Sequence, residues 1–182
     1  MIFREVEDLD LIARARKGDV ESYNLLVSRW ERRIFNYLLR LVRGREDAQD
    51  LCQDVFLKAY QNLKKLEDDT RFAPWLFRIA HNEAYSLLRK TKADGELPEE
   101  TGTASGRGRL LPIEVSLAVE NAMNRLNADQ REAVVLKVYQ GFKFEEMAEI
   151  LSCPVSTIKS RVYTALDLLK ETLAPIDVRG VR

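Results

Sequence analysis

Residues 144–169 read FEEMAEILSCPVSTIKSRVYTALDLL, and this stretch decides the architecture of the C-terminal part of the chain. Two segments with apolar residues at helical spacing, FEEMAEIL and STIKSRVYTALDLL, flank the four-residue turn SCPV. The pattern predicts two short helices joined by a tight turn, which is a helix-turn-helix. Ala148 supplies the small side chain needed where two helices cross closely, and Ser156 is expected to cap the second helix.

The second of these helices has two distinct faces. Its apolar face, which is expected to point inward, consists of Ile158, Val162, Ala165, Leu166 and Leu169. Its polar face carries hydroxyl groups, an amine and a phenol, supplied by Ser156, Thr157, Lys159, Ser160, Tyr163 and Thr164. Such a face suits the major groove of DNA, because hydroxyl and backbone N–H groups bind phosphates while Lys, Ser and Thr side chains reach base edges. An ordinary helical hairpin with a polar surface is the alternative.

Helices are expected in the rest of the chain as well, since apolar residues recur at helical spacing and no segment alternates like a β-strand. Asp19 should cap a helix that runs to Val42, with Gly44 as its stop, and Asn127 with Gln130 resembles a capping box. The expected helical ranges are 19–42, 46–63, from about 72 onward, 113–126, 128–140, 144–151 and 157–172. We therefore predict an all-α fold.

A polar stretch, residues 91–112, separates two helical regions. Its sequence, TKADGELPEETGTASGRGRLLP, holds four of the eight glycines and shows no apolar periodicity. Such a stretch cannot bury enough surface to order itself. We predict a small helical domain over residues 1–90, a flexible linker over 91–112 and a second small domain, containing the helix-turn-helix, over 113–175.

Composition excludes several classes of protein. The chain has 182 residues, 46% of them hydrophobic, which is enough to bury a core and rules out intrinsic disorder. Two cysteines and one histidine cannot form a disulfide framework or a closed zinc site. There is no Gly-rich phosphate loop and no nucleophile–histidine–acid set, so we expect no cofactor, no metal, no small-molecule substrate and no enzymatic activity. No apolar run could span a bilayer and the acidic N-terminus does not fit a signal peptide, which predicts a cytoplasmic protein without membrane insertion.

The net charge of zero hides a gradient along the chain. Residues 1–92 hold 18 basic and 15 acidic residues, whereas residues 93–182 hold 11 and 14. Within residues 71–92 there are five basic residues and one acidic residue. Long-range attraction to DNA is therefore weak, and any contact with DNA must be local.

Residues 71–92, RFAPWLFRIAHNEAYSLLRKTK, combine this basic cluster with aromatic side chains. Interleaved basic and aromatic residues suit single-stranded nucleic acid, because bases stack on rings while phosphates pair with Lys or Arg. The side opposite the apolar stripe carries Arg78, His81, Asn82, Tyr85 and Arg89. The alternatives are a core position for Phe72 and Trp75, and a plain solvated surface for His81 and Asn82.

A polar and acidic strip lies on one side of the helix predicted over residues 46–63. It consists of Asp50, Gln53, Asp54, Leu57 and Gln61. Such a strip is usually a solvated face, and the residues alone favour that interpretation. It could instead dock a basic protein partner.

Four segments in this order resemble the extracytoplasmic-function (ECF) group of bacterial RNA polymerase sigma factors. They are KGDVESYNLLVSRW, DAQDLCQDVFLKAYQNL, FAPWLFRIAHNEAYSLLRK and LNADQREAVVLKVYQGFKFEEMAEILSCPVSTIKSRVYTAL. A polar linker between two helical domains is also the layout of that family. The resemblance covers nearly the whole chain, and it implies a specificity subunit that directs transcription initiation.

The resemblance also implies partners and sites. Asp50, Gln53, Asp54 and Leu57 would dock on the β′ clamp of core RNA polymerase, against the solvated interpretation, and the β flap would be a second contact. The promoter −10 element would be bound by residues on a loop and on the helix after it, namely Leu66, Asp69, Arg71, Arg78, Asn82 and Arg89. The −35 element would be read by Ser156, Lys159, Ser160, Arg161, Tyr163 and Thr164. An anti-sigma partner is expected on the same grounds.

Three positions depart from the pattern of the family. Lys143 stands where a Ser or Thr commonly caps a helix, a loss of about 1 kcal/mol. Thr164 and Leu166 stand where arginines are frequent, which predicts fewer phosphate contacts at the −35 element. The main alternative is a stand-alone helix-turn-helix regulator that binds duplex operators as a dimer, but it leaves the basic cluster at residues 71–92 without a role.

Overall fold

The computed structural model describes residues 6–93 and 113–174, and within these two ranges the regular structure is helical, with no strand. The all-α prediction is confirmed. The chain divides into two compact units, Met1–Glu100 and Thr101–Arg182. The predicted linker, residues 91–112, lies outside the described residues except for its first three positions, which the structure places in a helix. The exact domain limits at 90, 113 and 175 stay predictions.

The N-terminal unit contains four α-helices: α1 (Asp8–Arg16), α2 (Val20–Val42), α3 (Arg45–Asn62) and α4 (Phe72–Ala93). Helix α2 packs against the other three. Its inward face is buried at Leu26, Ile34, Tyr37 and Leu38. Phe77 of α4 lies 5.1 Å from Tyr37, ring centre to ring centre. This core leaves one face of α3 and one face of α4 open to solvent.

The cap of α2 is confirmed, but its end is not where the sequence places it. The Asp19 carboxylate accepts a hydrogen bond from the Ser22 backbone N–H at 3.3 Å and from the Ser22 hydroxyl at 2.7 Å. These bonds lower the pKa of Asp19. The left-handed residue that closes α2 is Arg43, with φ of 63°, whereas Gly44 is extended and precedes α3. Gly44 as the stop was therefore wrong by one residue, because the short connection to α3 makes the chain reverse at Arg43.

The C-terminal unit contains α5 (Ile113–Asn124), α6 (Ala128–Val134), α7 (Phe144–Leu151) and α8 (Val155–Leu173). A π-helical turn, Val135–Tyr139, continues α6, and Gly141 follows with φ of 77°. The predicted capping box is confirmed: the Asn127 side chain accepts from the Gln130 N–H at 2.8 Å and the Gln130 side chain accepts from the Asn127 N–H at 3.2 Å. At Lys143 the missing Ser or Thr is partly replaced, because the Glu146 carboxylate accepts from the Lys143 N–H at 2.8 Å.

Helices α7 and α8 form the predicted helix-turn-helix. Met147, Ile158 and Val162 are buried between the helices of this unit. Ser152, in the left-handed region with φ of 50°, makes the turn, and α8 begins directly after Pro154. Ser156 therefore lies inside the first turn and does not cap the helix. This prediction was wrong because Pro154, whose φ is set by its ring, starts the helix two residues earlier.

One residue of the predicted apolar face of α8 also points elsewhere. Leu166 is 40% exposed, whereas Ile158, Val162 and Ala165 are buried. At about 100° per residue, Leu166 lies roughly 80° around the helix from Ile158 and so falls at the edge of the stripe. Among the described residues, no helix is long and apolar enough to cross a membrane.

Candidate functional site

The strip on α3 is fully presented to solvent. Asp50, Gln53, Asp54 and Leu57 are all exposed, and Leu57 is 56% exposed. The other side of the same helix is buried in the N-terminal unit through Leu51, Cys52, Val55, Phe56 and Ala59. A solvent-facing leucine between two carboxylates and an amide forms a surface that carries both apolar area and negative charge. Such a surface suits a partner with basic groups around an apolar patch.

The neighbours of this strip tie α3 to the rest of the unit. Lys58 Nζ lies 2.5 Å from a carboxylate oxygen of Glu83 on α4. Cys52, on the buried side, has its pKa raised by burial to about 11. The thiol is therefore neutral at physiological pH and serves as a small core residue, as the sequence predicts.

The connection between α3 and α4 consists of two single 3-10 turns, Leu63–Lys65 and Asp69–Arg71. The Asp68 carboxylate starts the second turn by accepting hydrogen bonds from the Thr70 N–H at 2.9 Å and from the Thr70 hydroxyl at 2.6 Å. These bonds lower the pKa of Asp68. The connection therefore has its own hydrogen bonds and a defined path.

The predicted −10 residues of this connection differ in their placement. Leu66 is buried, so its side chain supports the connection from inside. Asp69 is partly buried and forms an ion pair with Arg16 of α1, Nη2 to Oδ1, at 2.7 Å. Arg71 is partly exposed. The sequence missed Arg16 because no local pattern links it to residues about fifty positions later.

Helix α4 presents the predicted polar face. Arg78, Asn82 and Arg89 are exposed, and His81 packs on Tyr85 with 4.4 Å between ring centres. These residues form a basic surface on the first half of the chain. The structure brings Arg78 and Asn82 onto one helix face beside the connection, at the spacing that the periodicity predicts.

The aromatic residues of this region lie mainly inside. Phe72 is buried and lies 6.0 Å from Trp30 and 5.9 Å from Trp75, ring centre to ring centre. The core interpretation therefore holds for Phe72, whereas Trp75 is half-buried. Arg33 of α2 lies over the Trp30 ring at 4.7 Å, and burial lowers its pKa. The aromatic cluster thus builds the base of α4.

Helix α8 presents its polar face as predicted. The exposed members are Ser156, Lys159, Ser160, Tyr163 and Thr164. The ring of Phe144, the first residue of α7, connects several groups near this face: it lies 6.2 Å from the Tyr163 ring and 5.7 Å from Lys159 Nζ. Lys137 Nζ lies 4.6 Å from the same ring. The sequence did not identify Phe144 or Lys137, whose proximity to α8 depends on the tertiary fold.

Arg161 differs from the other α8 residues because it is bound within its own unit. Its Nη2 lies 2.5 Å from Asp129 on α6, and its Nη1 lies 3.8 Å from Cys153 Sγ. Burial raises the pKa of Cys153, while Arg161 acts in the opposite direction. The Arg161 guanidinium is therefore partly neutralised where it stands.

The described residues contain no group of three or more His, Cys, Asp or Glu side chains arranged to hold a metal ion. Each of the three surfaces instead combines exposed polar, charged and apolar side chains on a helix that is buried on its opposite side. Their chemistry is that of binding to macromolecules.

Comparison with known proteins identifies both units. The Sigma-70 region 2 family matches residues 26–93, and the Sigma-70 region 4 family matches residues 116–169. The ECF RNA polymerase sigma-E factor of Haemophilus influenzae is 30% identical over 186 residues, covering 94% of this chain and 98% of the relative. The sigma-E factor of Escherichia coli K12 is 31% identical, covering 94% and 97%.

Solved structures agree with these matches. The sigma factor RpoE in complex with the anti-sigma factor NepR, from Bartonella quintana, has a TM-score of 0.73 and 31% identity, covering 86% of this chain and 99% of that one. CnrH in complex with the cytosolic domain of CnrY has a TM-score of 0.70 and 25% identity, covering 93% and 99%. Since both units match sigma regions, a stand-alone regulator is not favoured. The chain belongs to the ECF group of RNA polymerase sigma factors.

Proposed function

We propose that the chain is a dissociable specificity subunit without enzymatic activity, which joins core RNA polymerase in the cytoplasm and selects promoters through two DNA-reading units. The exposed strip on α3 carries the proposal, because it has the exposed leucine and carboxylates of a protein-docking surface and lies within the segment that matches Sigma-70 region 2. Residues 1–90 would form one unit, residues 113–175 the other, and residues 91–112 a flexible linker.

Docking on the polymerase would use Asp50, Gln53, Asp54 and Leu57. The apolar side chain would be buried against the β′ clamp, while the two carboxylates would pair with basic groups around it. Side chains on the opposite side of α3 hold the helix in the N-terminal unit, so the docking face is rigid before binding. Rigidity lowers the entropy lost on association.

Capture of the −10 element would use the connection between α3 and α4 and the exposed face of α4. Arg78 and Arg89 would pair with phosphates of the melted strand, and Asn82 would reach a base. Extrusion of a base from the stack costs a few kcal/mol, which these contacts must recover. Asp69 and Arg71 would act from the connection, with Leu66 beneath it.

Recognition of the −35 element would use α8 in the major groove of duplex DNA. Ser156, Lys159, Ser160, Tyr163 and Thr164 offer exposed donors and acceptors on one face. Arg161 would join them after release from Asp129. The β flap of the polymerase would hold this unit at the correct distance from the first.

The polymerase would convert two weak DNA contacts into one strong interaction. The chain has no net charge, so each unit alone attracts DNA weakly. Once both units are docked, the second DNA contact becomes effectively intramolecular. An anti-sigma partner, of the kind present in the Bartonella quintana complex, would compete for the docking surfaces.

Run-off transcription with core polymerase on a library of promoter fragments tests this function. Wild-type protein should produce specific transcripts, and the double variant Asp50→Lys/Asp54→Lys should lose core binding and transcription while keeping its melting temperature. The control Asp167→Lys/Glu171→Lys has the same charge change and spacing on exposed positions of α8, and should still bind core polymerase. Equal core binding by both double variants would refute the docking assignment.

The stand-alone alternative has a different signature. An isolated regulator should bind a two-fold-symmetric duplex tightly without polymerase, as measured by gel shift. The proposed sigma function predicts weak binding of the isolated chain and tight binding only with core enzyme.

A further inference from the structure

Arg16, the last residue of α1, reaches across to the connection between α3 and α4. Its Nε donates a hydrogen bond to the Leu63 carbonyl oxygen at 3.2 Å, and its Nη2 donates to the Leu66 carbonyl oxygen. The same Nη2 pairs with Asp69 Oδ1 at 2.7 Å. One guanidinium therefore holds three points of a segment seven residues long.

These three points have no equivalent substitute in the segment itself. The carbonyls at the end of α3 lack helical partners, and a cation at a helix C-terminus is favourable. The Oδ1 atom of Asp69 is shut off from solvent, so its charge depends on the arginine beside it. Only a guanidinium presents several donors in one rigid plane, whereas a lysine offers a single point charge.

Helix α1 is itself held firmly, so that Arg16 acts from a fixed support. At its start, Asp8 pairs with Arg29 Nη1 at 2.7 Å and accepts from Trp30 Nε1 at 2.9 Å, both on α2. At its end, Gly18 takes a φ of 97° and stops the helix directly after Arg16. Residues Leu11, Ile12 and Ala15 bury the inner face. Helix α1 thus connects the aromatic base of the unit to the connection.

We propose that Arg16 is a positioning residue for −10 recognition: it sets the shape of the segment 63–69 that receives the extruded base, without touching DNA. The proposal rests on the function proposed above. A receptor for a single base must have its shape before the base arrives, because ordering it during capture reduces both affinity and selectivity. Arg16 also holds Asp69 toward α1, which determines where the free part of that carboxylate lies.

The test uses holoenzyme assembled from core polymerase and the full chain, with promoter libraries randomised at every position of the −10 element. Each library is used as duplex and with the −10 region already unpaired. The variants are Arg16→Ala, Arg16→Lys and, as a matched control, Arg14→Ala, which removes the same charge from an exposed position of the same helical turn. Core binding and melting temperature are measured for all four proteins.

We expect wild type and Arg14→Ala to select the same base at the same −10 position. Arg16→Ala should lower the preference ratio at that position by about tenfold, the equivalent of roughly 1.4 kcal/mol. The loss should persist on unpaired templates, since the receptor and not the melting step is altered. Arg16→Lys, which keeps the charge but not the planar set of donors, should fold, bind core enzyme and still lose most of the preference.

Two results would overturn the proposal. One is an unchanged base preference in Arg16→Lys, or in a folded Arg16→Ala. The other is an equal loss in Arg14→Ala, which would show that charge at the end of α1 is sufficient. If wild-type holoenzyme itself shows no −10 preference, the proposed function fails instead, so the two failures are distinguishable.

Discussion

Leu57 provides the sharpest test of the docking surface, because a leucine that is exposed in the free protein contributes little to its fold. Its side chain is 56% exposed on α3. Removal of an exposed side chain by Leu57→Ala should change the free energy of unfolding by less than about 0.5 kcal/mol. If polymerase covers it, the same substitution removes apolar surface from an interface.

The size of the effect on binding follows from the exposed fraction. Complete burial of a leucine side chain contributes about 1.5–3 kcal/mol, and somewhat more than half of that remains to be gained on docking. Leu57→Ala should therefore weaken binding to core polymerase by roughly 1–1.5 kcal/mol, or about five- to twelvefold in Kd. Transcription at limiting sigma factor should fall by a similar factor and recover at saturation.

Leu25 of α2 provides the matched control. It is 49% exposed, and Tyr23, two positions earlier, packs on Tyr60 of α3, so Leu25 lies on the opposite side of α2 from the docking surface. Fluorescence titration of labelled protein with core enzyme gives the two Kd values, and thermal unfolding gives the two stabilities. Equal Kd values for Leu57→Ala and Leu25→Ala, or a Kd unchanged from wild type in Leu57→Ala, would refute the reasoning.

Three further predictions concern the core, the thiol and the paired arginine. Ile158→Ala, at a fully buried position, should destabilise the C-terminal unit by about 2–5 kcal/mol in urea unfolding, and an unchanged midpoint would contradict the packing described. Cys52 has a folded pKa of about 11 against an ordinary value of 9.0, so its contribution to stability is complete below pH 9 and is lost as the pH rises through 11. Wild-type stability should therefore fall more steeply across that window than the stability of Cys52→Ala, and parallel slopes would count against it. Asp129→Asn should release Arg161, raise affinity for non-specific duplex DNA and steepen the salt dependence by about 0.9 in log–log slope for each phosphate gained; an unchanged slope would show that Arg161 reaches no phosphate.

Helix positions were predictable where a local signal sets them. Asp19 and Asn127 cap their helices through side chains that bond within three residues, so the chemistry is visible in the sequence. The errors arose where two local signals competed. Gly44 and Ser156 are good end residues by type, but Arg43 and Pro154 occupy the terminal geometry instead.

The exposed faces of α3, α4 and α8 were predictable as well, since periodicity separates buried from exposed positions. The contacts that adjust those faces were not. Arg16 bonds across 47 and 50 residues of chain, and Arg161 reaches Asp129 on a different helix. Such pairs depend on how helices pack, and a single sequence contains no signal for them.

These long-range pairs bear on why the chain should need polymerase. Two arginines near the proposed DNA surfaces, Arg16 and Arg161, have carboxylates as close partners within their own unit. Each such pair removes positive charge from the field that DNA experiences, so counterion release contributes little to binding by the free protein. What stays exposed on α4 and α8 is suited to reading a few bases once the DNA is already near. The same pairing limits non-specific binding, since affinity for any phosphate backbone falls with the number of free cations. Selectivity then depends on placing two such weak readers together, and a scaffold that holds both of them raises their joint affinity without adding a single non-specific contact.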